Sequence, residues 1–150
     1  MAQKISIENY TPADFESLYD MNQKLYPTME KNLLVRMLEE MTRLENYRIF
    51  MAKDSGNNMG FSVISIRTDY VEGADRSPTG YLEAIYVEPE YRKEGIGKRL
   101  VELGEEWCKE NGCSQIGSDT WISHEKARAF HRKLGFWEED ELVHFLKNLT

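Results

Sequence analysis

The sequence predicts an α/β fold in which helices flank a mixed, mostly antiparallel central sheet, in the order βααβββαβαββ. Three observations support this fold class. Apolar residues recur at helical spacing in the first third of the chain, extended segments dominate the middle, and helices then alternate with strands. No repeat, low-complexity tract or linker divides the 150 residues, so we expect residues 1–150 to form a single domain with one core.

The first elements are a strand and two helices. Residues 5–7 alternate apolar and polar side chains, which predicts a short strand. Thr11-Pro12 is typical of a helix start, and Pro27 should end that helix. An apolar stripe at helical spacing predicts a second helix over residues 30–44.

The middle of the chain is extended. Residues 47–53 and 60–69 predict two strands of a hairpin joined by the turn at 54–58. A polar loop follows over 70–78, and Tyr81–Val87 predicts the next strand.

The last third alternates helices and strands. Its predicted elements after Pro89 are a helix over 95–111, a strand over 115–119, a helix over 123–133 capped by Ser123, and a terminal strand pair from Phe136 that contains residues 142–146.

Composition and charge restrict the function. The net charge of -7 argues against nucleic acid as a partner, because phosphate binding requires a basic face. No apolar run is long enough for a membrane helix, and residues 1–4 lack the apolar core of a signal peptide. The spacing of Cys108 and Cys113 matches no metal motif, so we expect no metal, reduced thiols and a cytoplasmic location.

The segment from Tyr86 to Lys98 combines the end of a strand with a helix start at two glycines. Free backbone N–H groups at a helix start bind anions, and Gly95 and Gly97 allow a pyrophosphate to approach closely. Arg92 and Lys93 add positive charge beside it. A glycine pair alone is equally typical of a tight strand-to-helix turn, so the surrounding sequence must decide between an anion-binding turn and a purely structural one.

That context, Arg-x-x-Gly-x-Gly after a strand ending in Val-x-Pro, resembles the acetyl-CoA loop of the GNAT superfamily of acetyltransferases. Within it, the chain is similar to the aminoglycoside 6'-N-acetyltransferases. The segments that carry the similarity are Ser65–Gly73, Ser77–Val87, Ser118-Asp119 and His131–Phe136.

The resemblance implies an N-acetyltransferase with acetyl-CoA as donor and a homodimer formed through C-terminal strands. The residues it implies for acetyl-CoA binding are Ile85, Tyr86, Val87, Arg92, Lys93, Glu94, Gly95, Ile96, Gly97, Lys98 and His124. His124 stands where the relatives carry an asparagine, so it either replaces that contact or only occupies the helix start.

Asp119 matches the substrate-binding and base position of the relatives, although a turn carboxylate would occupy the same place. His131 stands where most superfamily members carry a tyrosine that protonates the CoA thiolate, and it either donates that proton or only packs. Tyr70 is the rival donor or a substrate-binding ring.

The resemblance also implies an acceptor pocket for a cation. Tyr26 should line this pocket, and Glu83 and Glu72 should hold ammonium groups beside Asp119, although Glu72 fits a solvated loop charge as well. The expected acceptor is therefore the 6'-amine of an aminoglycoside. A polyamine, peptide or small-metabolite amine is the alternative, and a non-catalytic CoA-binding sensor is the alternative of another class.

Overall fold

The computed structural model describes residues 4–150, which form a five-stranded sheet with helices on both faces. The strands are β1 (Ile5–Asn9), β2 (Tyr47–Asp54), β3 (Asn57–Arg67), β4 (Thr79–Val87) and β5 (Ile116–Ser118). The helices are α1 (Phe15–Leu25), α2 (Lys31–Arg43), α3 (Ile96–Glu110) and α4 (Glu125–Lys133), with 3-10 turns at Pro12–Asp14 and Pro89–Tyr91. The predicted fold class is confirmed. Residues 1–3, part of the stretch interpreted above as lacking a signal peptide, lie outside the described residues.

The sheet changes direction at one edge. Its strands lie in the order β1-β2-β3-β4-β5, and each neighbouring pair is antiparallel except β4 and β5, which are parallel. A parallel pair requires a crossover connection, and α3 provides it. The edge strand β5 therefore runs beside β4 in the same direction, which is the basis of the cleft described below.

Two apolar clusters cover the two faces of the sheet. One packs against α3 around Leu100 and Trp107, and the other packs against α1 and α2 around Leu18 and Leu38. Cys108 and Cys113 are free and buried in the first cluster, and burial raises the pKa of the Cys108 thiol to about 12. Within the described residues, no helix combines the length and the hydrophobicity that crossing a bilayer requires.

Local chemistry explains most of the helix boundaries. The backbone N–H of Thr11 donates to Asp14 at 2.9 Å in a capping box, and α1 ends just before Tyr26-Pro27, as predicted. The predicted Ser123 cap is wrong. Residues 121–124 close a turn of their own, in which the His124 N–H donates to the Trp121 carbonyl at 2.9 Å, and α4 begins one residue after His124.

The predicted terminal strand pair is also wrong within residues 4–150: residues 136–150 join no strand. A strand requires a partner edge, and this segment leaves α4 without reaching one. Glu138 ties the start of the segment to α4 through Arg128 at 2.8 Å and Arg132 at 2.6 Å. Beyond that ion pair, apolar side chains such as Phe145 face solvent.

Candidate active site

A cleft opens at the sheet edge where β5 ends. β4 and β5 pair only from Gly80, opposite Ile116, to Leu82, opposite Ser118. Past that point β4 continues to Val87 without a β5 partner, although it remains paired with β3 on its other side. The two parallel strands therefore form a fork with its apex at Leu82 and Ser118, and the inner edge of β4 offers its backbone groups to a ligand.

A β-bulge lies at the apex of the fork. Val63 pairs with Ala84, whereas the next β3 residue, Ile64, pairs with Leu82, so Glu83 is an extra residue in β4. Bulges bend a strand and increase its twist, which accounts for the separation of β4 from β5 at this place. Glu83 lies on the same face as Tyr81, the face that carries α1 and α2, and the extra residue brings Ala84 and Tyr86 to that face as well.

On that face, Asp119 accepts a hydrogen bond from the hydroxyl of Tyr81. Burial and then the Asp119 carboxylate raise the pKa of Tyr81 well above its usual value, so its hydroxyl remains a donor at neutral pH. Asp119 itself is exposed. One of its oxygens is fixed by Tyr81, and its other oxygen accepts no protein hydrogen bond among the described residues.

Glu83 is already paired. Arg67 donates to both of its carboxylate oxygens at 2.9–3.1 Å, and the Ser65 hydroxyl donates at 2.5 Å. The same guanidinium lies 3.5 Å from the centroid of the Tyr81 ring, in cation–π geometry. Arg67 thus joins Glu83 and Tyr81 into one rigid wall beside Asp119.

This wall borders a pocket of about 310 Å³. Its lining residues are Asn46, Tyr47, Ile66, Arg67, Thr68, Asp69, Tyr70 and Glu83. Tyr26 lies close by: burial, then the charges of Asp119 and Glu83, raise the pKa of its hydroxyl. Glu72 is exposed in the loop and does not line the pocket, whereas Tyr70, 73% exposed, does.

On the opposite face of the fork, Ser118 contacts α4. Its Oγ lies 2.8 Å from Nε2 of His131 and 3.3 Å from the carbonyl oxygen of Leu82. Nδ1 of His131 lies 2.6 Å from the Ala127 carbonyl oxygen. The imidazole also meets the ring of Phe136 edge-on at 5.2 Å, so His131 both packs and holds a polar partner.

The glycine turn lies at the far end of the inner edge of β4. Gly95, with φ of 82°, is the N-cap of α3, which has no side-chain cap, and this leaves the first N–H groups of α3 available to an anion. A side chain at Gly97 would meet the Phe130 ring at 3.1 Å, so any larger residue there would have to displace this ring of α4 by a few tenths of an ångström. The Arg92 guanidinium donates to the Val87 carbonyl at 2.7 Å and lies over Tyr86, which supports the turn from below.

The remaining predicted donor-site residues follow the same path. Ile85 to Val87 lie on the stretch of β4 that has no partner on its β5 side, and Lys93 to Lys98 form the turn and the first residues of α3. His124 is exposed at the start of α4.

Sequence reasoning missed Arg67, Tyr81 and Ser118 as site residues. Tyr81 and Glu83 stand two apart in a strand, a spacing that normally gives a common face, and Ser118 directly precedes Asp119. These two spacings could have indicated Tyr81 and Ser118 as site residues. The pairing of Arg67 with Glu83, however, depends on the register of β3 against β4, which no local pattern reveals.

The sequence profile of the acetyltransferase (GNAT) family matches residues 15–136. A relative from Stenotrophomonas maltophilia named aminoglycoside N(6')-acetyltransferase type 1 is 30% identical over 145 residues, which cover 97% of this chain and 94% of that protein.

Two solved structures are similar along the whole chain. Aminoglycoside N-acetyltransferase AAC(6')-Iy in complex with CoA superposes with a TM-score of 0.92 at 28% identity, covering 99% of this chain and 98% of the other. The same enzyme in complex with the bisubstrate analogue CoA-S-monomethyl-acetylneamine gives a TM-score of 0.90 at 29% identity, covering 97% and 99%.

Proposed function

Because the chain belongs to the acetyltransferase (GNAT) family, whose enzymes take acetyl from acetyl-CoA, we propose that its acceptor is the 6'-amine of an aminoglycoside antibiotic. The observation that carries this proposal is Asp119, an exposed carboxylate fixed by Tyr81 at the apex of the fork, beside a pocket that carries acidic side chains. The similarity to aminoglycoside 6'-N-acetyltransferases over nearly the whole chain supports the choice of acceptor.

The donor site has the chemistry that acetyl-CoA requires. The uncapped start of α3 binds the pyrophosphate, with Gly95 leaving the backbone accessible and Lys93 and Lys98 adding positive charge. The inner edge of β4 over residues 83–87 rises by about 14 Å, which is of the order of an extended pantetheine arm. The arm pairs with the free backbone groups of that edge and brings the thioester to the fork.

Asp119 serves the acceptor. Its free oxygen binds the attacking amine and takes the proton that the nitrogen loses as the amide forms. The amine attacks the thioester directly, in a ternary complex. A backbone N–H on the inner edge of β4 stabilises the oxyanion of the tetrahedral intermediate.

The pocket favours a cationic acceptor. Asp69 lines it without a cationic partner among the described residues, while the carboxylate of Glu83 is neutralised by Arg67. Tyr26, Tyr47 and Tyr70 supply flat surfaces on which a sugar ring packs. Glu72 would have to move towards the pocket to contact the acceptor.

The test is a thiol-release assay with acetyl-CoA and a panel of aminoglycosides, polyamines and peptides. The panel includes two aminoglycosides that differ only in a 6'-amine or a 6'-hydroxyl. We expect turnover with the 6'-amine and none with the 6'-hydroxyl. Turnover with a polyamine or peptide alone would overturn the acceptor, and CoA binding without any turnover would favour a sensor.

We also propose that the chain acts as a homodimer, with residues 1–150 as one domain. Large apolar side chains of the C-terminal segment are 76–91% exposed, and burying each one stabilises a complex by about 1.5–3 kcal/mol. These residues are Leu142, Val143, Phe145, Leu146 and Leu149. We infer that a second copy of the chain covers these side chains, because its edge strand β5 has a free outer edge that the segment does not reach in its own chain.

Sedimentation of the wild type and of a Phe145→Ser, Leu146→Ser double variant tests the dimer. We expect a dimer for the wild type, a monomer for the double variant, and a dimer for the control Lys147→Ser. A monomeric wild type at micromolar concentration would contradict the proposal. We place the enzyme in the cytoplasm, because its donor is acetyl-CoA and its two buried cysteines are free.

A further inference from the structure

We propose that Ser118, together with His131 behind it, delivers the proton that the CoA sulfur needs when it leaves. The proposal rests on the acetyl-CoA chemistry of the proposed function, but it does not depend on which amine is the acceptor. Ser118 is the residue that touches the sulfur, and His131 is the source of the proton.

The position of Ser118 is the first reason. It is the last residue of β5 and lies opposite Leu82 at the apex of the fork. A pantetheine arm that starts at the helix α3 and follows β4 from Val87 to Glu83 ends at this apex. The reacting sulfur therefore comes to rest beside the Ser118 hydroxyl.

The second reason is the separation of the two faces. Successive residues of a strand point to opposite sides, and here Ser118 bonds His131 on α4, whereas Asp119 bonds Tyr81 on the other face. Acetyl transfer needs one proton removed from the amine and one proton given to the sulfur. The fork provides one polar group on each face for these two tasks.

The hydrogen bonds of His131 define the direction of transfer. The Ala127 carbonyl can only accept, so Nδ1 carries a hydrogen and donates to it at 2.6 Å. In the neutral ring, Nε2 then accepts from the Ser118 hydroxyl at 2.8 Å. In the imidazolium, Nε2 donates to Ser118 instead, and the hydroxyl hydrogen then turns to the Leu82 carbonyl at 3.3 Å or, when CoA is bound, to the sulfur.

The step balances without any further reactant. As the C–S bond breaks, the hydroxyl proton of Ser118 moves to the thiolate sulfur, and the Nε2 proton of the His131 imidazolium moves to the serine oxygen. The products are CoA thiol, intact serine and neutral imidazole. Asp119 holds the proton taken from the amine, and exchange with solvent restores both groups.

A double-mutant cycle tests the pair, using Ser118→Ala, His131→Asn and the double variant. The asparagine amide keeps a donor near Ala127 while removing Nε2. General acids contribute 10²- to 10⁴-fold, so we expect each single variant to lose about 100-fold in kcat. Because residues that act as one unit are not additive, the double variant should lose no more than about 100-fold.

Three controls separate catalysis from structure. Ser118→Thr keeps the hydroxyl and should restore kcat, whereas Ser114→Ala, in the loop before β5, should have no effect. The CoA dissociation constant should remain unchanged in every variant. Multiplicative losses in the double variant, or a parallel loss of CoA affinity, would overturn the proposal.

A second measurement needs no acceptor. The ¹⁵N shifts of the His131 ring should show the hydrogen on Nδ1, and adding CoA should move the Nε2 signal in the wild type but not in Ser118→Ala. A hydrogen on Nε2 of the neutral ring would overturn the proposal. If aminoglycosides are not acetylated, the NMR result and the cycle with any active amine still decide it.

Discussion

Replacing Asp119 by asparagine isolates the proposed base from the rest of the fold. The amide oxygen can still accept the hydrogen bond from the Tyr81 hydroxyl, and Asp119 is exposed, so no buried charge is lost. The amide cannot take a proton from the amine. Turnover should therefore fall while the structure remains intact.

The magnitudes follow from the geometry. Loss of a positioned base costs about 10²- to 10⁴-fold in rate, which corresponds to about 2.7–5.5 kcal/mol of activation free energy. The change in the free energy of unfolding should stay within about 1 kcal/mol, as for a single exposed hydrogen bond. Asp119 exchanges no hydrogen bond or ion pair with the glycine turn among the described residues, so the dissociation constant of CoA should not change.

Steady-state kinetics with acetyl-CoA and the best acceptor, combined with calorimetric titration of CoA, measure the three quantities separately. Asp75→Asn, an exposed loop carboxylate, is the matched control and should behave as the wild type. Full activity of Asp119→Asn would exclude Asp119 as the base. An equal loss of CoA affinity would indicate a disturbed fork instead.

Three further predictions concern packing and charge. Gly97→Val should push against the Phe130 ring, which lies 3.1 Å from a Cβ at this position, and weaken CoA binding in a calorimetric titration; unchanged affinity would contradict the assignment of the turn. Burial alone would raise the pKa of Asp14, but hydrogen bonds, including one from its capping-box partner, lower it below the usual value. Its contribution to stability is therefore complete above the unfolded-state pKa and is lost as pH falls through the folded-state pKa, so the gap in urea stability between the wild type and Asp14→Asn should close at acid pH. Glu83→Gln should lower the free energy of unfolding by about 2 kcal/mol, because Arg67 loses its carboxylate partner, and a change near zero would show that the pair is not structural.

The local sequence predicted most of the elements and the glycine turn. Helix signals such as Thr11-Pro12 and Pro27 act through neighbouring backbone, and the glycine turn at residues 95–97 has its chemistry within a few positions. Interactions of short range in the chain can be predicted from short patterns. The alternation of elements then restricted the topology to an α/β sheet.

The C-terminal segment shows where local pattern misleads. Its apolar run over 142–146 is typical of a strand, but a strand forms only where the segment meets a free edge, and residues 136–150 pair with none of the chain's own strands. The same pattern therefore describes exposed surface in the single chain.

Only the tertiary structure decided which side chains of the proposed acceptor side contact one another. Glu83 pairs with Arg67, 16 positions away, and Ser118 contacts His131, 13 positions away. The bulge at Glu83 arises from the pairing of two different strands. Such contacts depend on register and on the helix crossing, each of which is the sum of many weak packing terms spread over the whole core. The sequence proposed the candidate residues, and the folded sheet determined that Glu83 is paired with Arg67, that Asp119 keeps one oxygen without a partner among the described residues, and that Asp119 and Ser118 face opposite sides.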